Sequence, residues 1–224
     1  SERGQRARRL IDSAIGPVWE ANHVWLIFIL VVLWTAFSVA FEAVMSTLFI
    51  PLSLAALGIV LRGSGFAFHE VVKRPAERSF AEHLFVASSV ITPFFMGTVV
   101  GAIAAGRVPV GNAEGDPWSS WLNPVSLVVG VLFVATGAYL AAVFLVSDSR
   151  RAGDADLVRY FTERATFAAV GAGAVALAGI FVLREDARYV YDGLTSDALP
   201  LVIASAVCGL GALMLLRSGT HRGI

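Results

Sequence analysis

In "IGPVWEANHVWLI", residues 15–27, Glu20 and His23 stand between Trp19 and Trp25, and from Val24 onward the chain is almost wholly apolar. An acid and an imidazole at the edge of an apolar run can serve two chemistries. A carboxyl there is partly desolvated, which raises its proton affinity and suits it to proton uptake or relay. The blander role for Glu20 is an acid near a helix start, favoured by the macrodipole, and spacing alone leaves both open. His23 is of a type that ligates metal or haem. A haem held by two imidazoles needs a second histidine at similar depth, and His69, His83 and His221 all fall in expected loops or the tail. His23 therefore reads as a hydrogen-bonding residue at an interface, and no metal site is expected.

Other reactive patterns are missing. The sequence holds no phosphate-binding glycine loop, no Cys-x-x-Cys and no nucleophile elbow. "GAGAVALAG" sits inside an apolar run and follows no strand, so it is no dinucleotide fingerprint. The lone Cys208 reads as a small apolar residue.

The elements that must position these residues follow from composition. Hydrophobic residues make up 57% of the 224-residue chain and charged ones 15%, with mean hydropathy +0.74. Soluble domains average about 45–50% and about 25%. The excess is gathered in runs of about 20 residues, the length that crosses a bilayer as a helix. The expected fold is all-α: a polytopic transmembrane helical bundle, residues 1–224 forming a single transmembrane domain. Six spans are placed at about 24–41, 44–61, 84–105, 122–146, 161–183 and 199–216. The first two form one run that, as a straight helix at about 1.5 Å per residue, would overshoot the bilayer about twofold. The expected turn is at Glu42 to Ser46, the polar interruption.

Charge sets the orientation. With the N-terminus cytoplasmic, residues 1–23 form a basic cytoplasmic loop. The inner segments and adjoining helix ends then hold every basic residue of the 17 except Arg107, Arg184 and Arg188, as the positive-inside rule requires. Net charge is zero, which gives no case for nucleic acid. Gly97 and Gly101 form a Gly-x-x-x-Gly, either a close helix crossing or ordinary membrane glycine usage. The density of Gly171, Gly173 and Gly179 favours real packing, and Pro51 is expected to kink the second span.

The block Gly16, Pro17, Val18, Trp19, Glu20, Asn22 and Trp25, followed by Pro51 and Leu52 and then Arg62, Gly63 and Phe66, resembles subunit II of the cytochrome bd quinol oxidases. Arg8 and Arg9 before the block fit as well, and Asn123, Pro124 and Gly130 match a later segment. The likeness is sharp over residues 1–68, fair to 146 and hydropathic beyond. It implies an oxidase subunit that binds no cofactor directly, with a quinone as an occasional exception. Its partners would be a haem-bearing subunit I, quinol and membrane lipid, in a bacterial or archaeal cell membrane. The resemblance also assigns Glu20, with Trp19 and His23 as neighbours, to a cytoplasmic proton path. The family expects about eight helices, one of them before the Gly-Pro-Val-Trp block, so the chain reads as truncated or divergent. Ala67 and Thr136 stand where the family has an acid and a histidine. The rival readings are a small transporter or channel gated at Glu20 and His23, and a purely structural membrane subunit. A transporter should carry broken helices or polar residues at the midplane, and the last four spans have no charged residue in their middles.

Overall fold

The computed structural model describes residues 2–71, 75–111 and 115–218; side chains at 15–21, 23, 66–71, 75–79, 81–82 and 217–218 lie outside the described set. Among the described residues every regular element is a helix, as expected. In chain order they are α1 (Glu2–Ala36), α2 (Ser38–Thr47), α3 (Phe49–Val71), α4 (Pro75–Ala104), α5 (Pro124–Arg151), α6 (Ala155–Asp186), α7 (Arg188–Thr195) and α8 (Leu199–Ser218).

His83–Ala104, Pro124–Arg151, Ala155–Asp186 and Leu199–Leu216 are each long and apolar enough to cross a membrane, and Val24–Ala36 with Ser38–Thr47 makes a fifth apolar stretch, bent by 114°. Among the described residues there are four to five such spans, which makes the chain a multi-pass membrane protein. Phe49–Gly65 is apolar but shorter.

Three local expectations are corrected. Residues 2–23 are not a loop: α1 is continuous helix from Glu2. Glu42 to Ser46 are not a turn either, since they lie inside α2. The break comes earlier, at Phe37. Just before it the Thr35 hydroxyl donates to the Val31 carbonyl at 2.8 Å, a back-bond that competes with the helix ladder and favours bending. Pro51 does not kink a span from within; it stands in the first turn of α3. Its ring would clash with the Thr47 carbonyl and it has no N–H to offer there, so the helix is interrupted at Leu48, between α2 and α3.

The described residues gather into two compact units. One contains Val39–Val134 and Val175–Tyr191. In it α4 crosses α5 at backbone contact. A Cβ on Gly97 would lie 2.7 Å from the Gly130 Cα, and one on Gly101 would lie 2.5 Å from the Ser126 Cα. Without a hydrophobic drive in lipid, such close backbone approach is what lets helices associate. Gly97 and Gly101 thus form a true crossing. At one end Leu48, Val99, Ala102 and Trp121 form a buried cluster, and Trp121 meets Phe95 edge-on at 5.8 Å. Asn123 caps α5: its Oδ1 accepts from the Ser126 N–H at 3.0 Å, and Pro124 takes the first helical position.

The other unit contains Ser1–Ser38, Ala135–Ala174 and Asp192–Ile224. Its core is Ala7, Val146, Leu157 and Phe161, with Leu10 and Ile11 packed against it. Ala7, Leu10 and Ile11 recur at helical spacing, so the first turns of α1 have an apolar stripe to bury. Gly171 and Gly173 have nothing within 4 Å. Of the three glycines expected to pack, only Gly179 does so among the described residues: a Cβ there would lie 3.2 Å from Val128 Cγ1. Leu199–Leu216 contains no buried residue.

Candidate functional site

The segment in which the sequence places the candidate chemistry, residues 16–25, lies wholly on α1. What fixes it is the helix start. The α5–α6 turn is built by Gly153 at φ +71°, a conformation glycine adopts without strain. Asp154 then caps α6, its Oδ1 accepting from the Leu157 N–H at 3.1 Å. This turn presents two carboxylates to α1. Arg3 Nε reaches Asp156 at 2.9 Å, and Arg6 reaches Asp154 at 3.1 Å and Asp156 at 3.0 Å. Beside them the Arg164 guanidinium lies 3.4 Å from the Tyr160 ring centroid, a cation–π contact. Each exposed ion pair is worth about 0–1 kcal/mol. Sharing Asp156 between two arginines, beside the Phe161 core, makes the group a clasp holding the beginning of α1. From Ala7 to Glu20 is 13 residues of unbroken helix, or about 20 Å.

This clasp escaped the sequence reading, which counted Arg3 and Arg6 only as topology signals. The readable sign was "RAGDAD": a helix-ending glycine followed at once by an acid suited to capping.

Glu20 and His23 fall three positions apart on α1, with Trp19 adjacent to Glu20. The side chains of Glu20, His23, Trp19, Gly16, Pro17 and Val18 lie outside the described residues, as does that of Phe66. Asn22 is exposed, and Trp25 is exposed and edge-on to Phe28 at 6.0 Å. Pro51 is buried, while Arg62 and Gly63 are half-buried on α3. Arg62 lies over the Phe85 ring at 5.5 Å. The later matched residues Asn123, Pro124 and Gly130 do structural work, as cap, first helical residue and crossing point. Among the described residues no group of three or more His, Cys, Asp or Glu could hold a metal ion.

At the same end of the Val39–Val134 unit as the Leu48–Trp121 cluster, the Thr47 hydroxyl accepts from the Gly115 N–H at 3.2 Å. The Asp116 carboxylate accepts from the N–H groups of Ser119 at 2.6 Å and Trp118 at 2.9 Å. These bonds, led by Ser119, hold its carboxyl below the usual carboxylate range.

A family described as cytochrome bd terminal oxidase subunit II matches residues 1–223. The chain belongs to this family. It is 26% identical over 187 residues to the cytochrome bd-I ubiquinol oxidase subunit 2 of Escherichia coli, covering 81% of this chain and 48% of that one. The cytochrome bd ubiquinol oxidase subunit 2 of Bacillus subtilis is 28% identical over 127 residues, covering 55% and 37%. A probable cytochrome oxidase subunit 2 of Haemophilus influenzae is 26% identical over 131 residues, covering 56% and 34%. The chain thus spans about half the length, or less, of the curated relatives it matches.

Proposed function

We propose that this chain acts as the second subunit of a bd-type quinol:oxygen oxidoreductase in a bacterial or archaeal cell membrane. It packs against a haem-bearing subunit and helps to deliver cytoplasmic protons during quinol oxidation and oxygen reduction. The match of residues 1–223 to the subunit II family carries this reading. The fold is compatible with a supporting role. Val24–Ala36 and Leu199–Leu216 are apolar yet expose most of their side chains, surfaces that lipid or a second subunit would cover.

In this proposal the N-terminus is cytoplasmic and the chain crosses six times, α3 crossing through Phe49–Gly65, whose 17 residues reach about 26 Å. The concentration of basic residues in the inner segments supports that orientation. Glu20 then lies at the cytoplasmic interface, at a fixed distance along α1 from the clasp. It takes up protons from the aqueous side, and Trp19 and His23 are its neighbours on the helix. The chain needs no redox centre of its own; haems belong to the partner.

The transporter reading would draw on the 114° bend between α1 and α2. The acid on α2, Glu42, is exposed, and one exposed acid on a bent helix makes no gated midplane site. Replacing Glu20 by Gln tests the proton role. Quinol oxidase turnover of the purified complex should fall while haem content and subunit ratio stay unchanged; full turnover would remove Glu20 from the path.

A further inference from the structure

Two of the buried polar atoms left without a hydrogen bond among the described residues, Arg62 Nε and Thr92 Oγ1, belong to one helix pair. On α3, Gly58 and Arg62 are one turn apart. On α4, Thr92 abuts Gly58, where a Cβ would collide with the Thr92 hydroxyl, and Phe85 lies under Arg62. The helices therefore run antiparallel here, and the two atoms face the same seam.

The residues between them add unspent hydrogen-bonding capacity. Pro93, inside α4, has no N–H to give the Ser89 carbonyl. Ser88 and Ser89 both donate to the Phe85 carbonyl, at 2.9 and 2.7 Å, which leaves the lone pairs of both hydroxyls free to accept. Ser88 is fully buried. The seam thus offers a guanidinium N–H donor, a proline-released carbonyl and three hydroxyls. Buried polar atoms are almost always satisfied, by protein or by ordered water, and an internal water makes about three hydrogen bonds to such groups.

We infer that the α3–α4 seam is a site for internal water, held by Arg62 Nε, Thr92 Oγ1, the Ser88 hydroxyl and the Ser89 carbonyl. Water in the seam accepts from Arg62 and Thr92 and donates to the Ser88 hydroxyl and the Ser89 carbonyl. It satisfies two donors, Arg62 Nε and Thr92 Oγ1, that have no protein hydrogen-bond partner among the described residues. The site is separate from Glu20 and stands or falls independently of the oxidase reading.

The test is a high-resolution cryo-EM map of the complex purified from native membranes, with thermal unfolding of Thr92→Val. Non-protein density within hydrogen-bond reach of Arg62 Nε and Thr92 Oγ1 is expected. Thr92→Val should lower the unfolding midpoint by about 2–4 °C, because it removes a bonded hydroxyl, and Arg62→Lys should shrink that effect by deleting the other donor. A dry seam, with the Thr92 hydroxyl turned onto the Ser88 carbonyl, would overturn the inference. So would a rise in midpoint on Thr92→Val, the result for a hydroxyl buried without a partner.

Discussion

Replacing Gly101 by Ala adds one methyl group at the tightest point of the α4–α5 crossing. Its Cβ would lie 2.5 Å from the Ser126 Cα, 3.1 Å from the Ser126 nitrogen and 3.2 Å from the Val125 carbonyl oxygen. All three are backbone atoms, so no side chain can swing away. Ordinary contact begins near 3.4 Å, so the helices must part by about 0.9 Å. A gap of that order forfeits a quarter to a half of each dispersion contact along the seam, and overpacking of this kind costs about 1–3 kcal/mol. Alanine's better helix propensity returns about 1 kcal/mol, leaving a net loss of about 0–2 kcal/mol. For a chain of this size the clash alone should place the Gly101→Ala midpoint about 2–12 °C below that of a Gly→Ala change at an uncrowded helix position. Gly171→Ala is the control, because nothing lies within 4 Å of that glycine; with no clash to offset it, the same propensity should raise stability by about 1 kcal/mol. The assay is thermal unfolding of the purified complex in lipid nanodiscs. Equal midpoints for Gly101→Ala and Gly171→Ala would refute the close crossing.

Three further outcomes follow from the geometry. The Asp116 carboxyl is held below the usual carboxylate range by hydrogen bonds, so its stabilisation is present above that range and is lost as pH falls through it. Fluorescence of the adjoining Trp118 and Trp121 should therefore change on acidification, and Asp116→Asn should flatten that titration. Asp156→Asn removes the shared partner of Arg3 and Arg6 and should cost about 1 kcal/mol in low salt, less at 1 M salt where screening is short-ranged. Equal losses in both salts would deny the clasp its electrostatic character. Glu20→Gln should slow turnover without loss of assembled haem, as measured by quinol-dependent oxygen uptake beside a haem spectrum.

How legible the molecule was depended on the range of the interaction. The four long apolar helices stood out because hydrophobic length is a local signal. The α1–α2 break did not, since Glu42 is the polar interruption in the run while the bend follows a hydroxyl back-bond at Thr35, whose competition with the ladder is a matter of geometry. α7 was missed because "REDARYVYDG" is too short and polar to stand out. Gly97 and Gly101 could not be told from Gly171 and Gly173 by pattern, because only the facing helix distinguishes a crossing from an open face. For the candidate site, Glu20 and its neighbours were legible as a motif. The clasp that anchors their helix joins Arg3 to Asp156 across 153 positions, a distance no spacing rule spans. Arg62 was visible as a motif residue, yet its unbonded Nε emerges only when α3 meets α4.

The central claim is that this chain works beside a haem-bearing subunit in a quinol oxidase. Purification from native membranes under mild detergent, followed by a reduced-minus-oxidised visible spectrum and identification of every subunit, tests it most directly. The account predicts a stable complex in which a partner subunit, not this chain, carries the haem signal. A homogeneous preparation of this chain with no haem-bearing partner would contradict it.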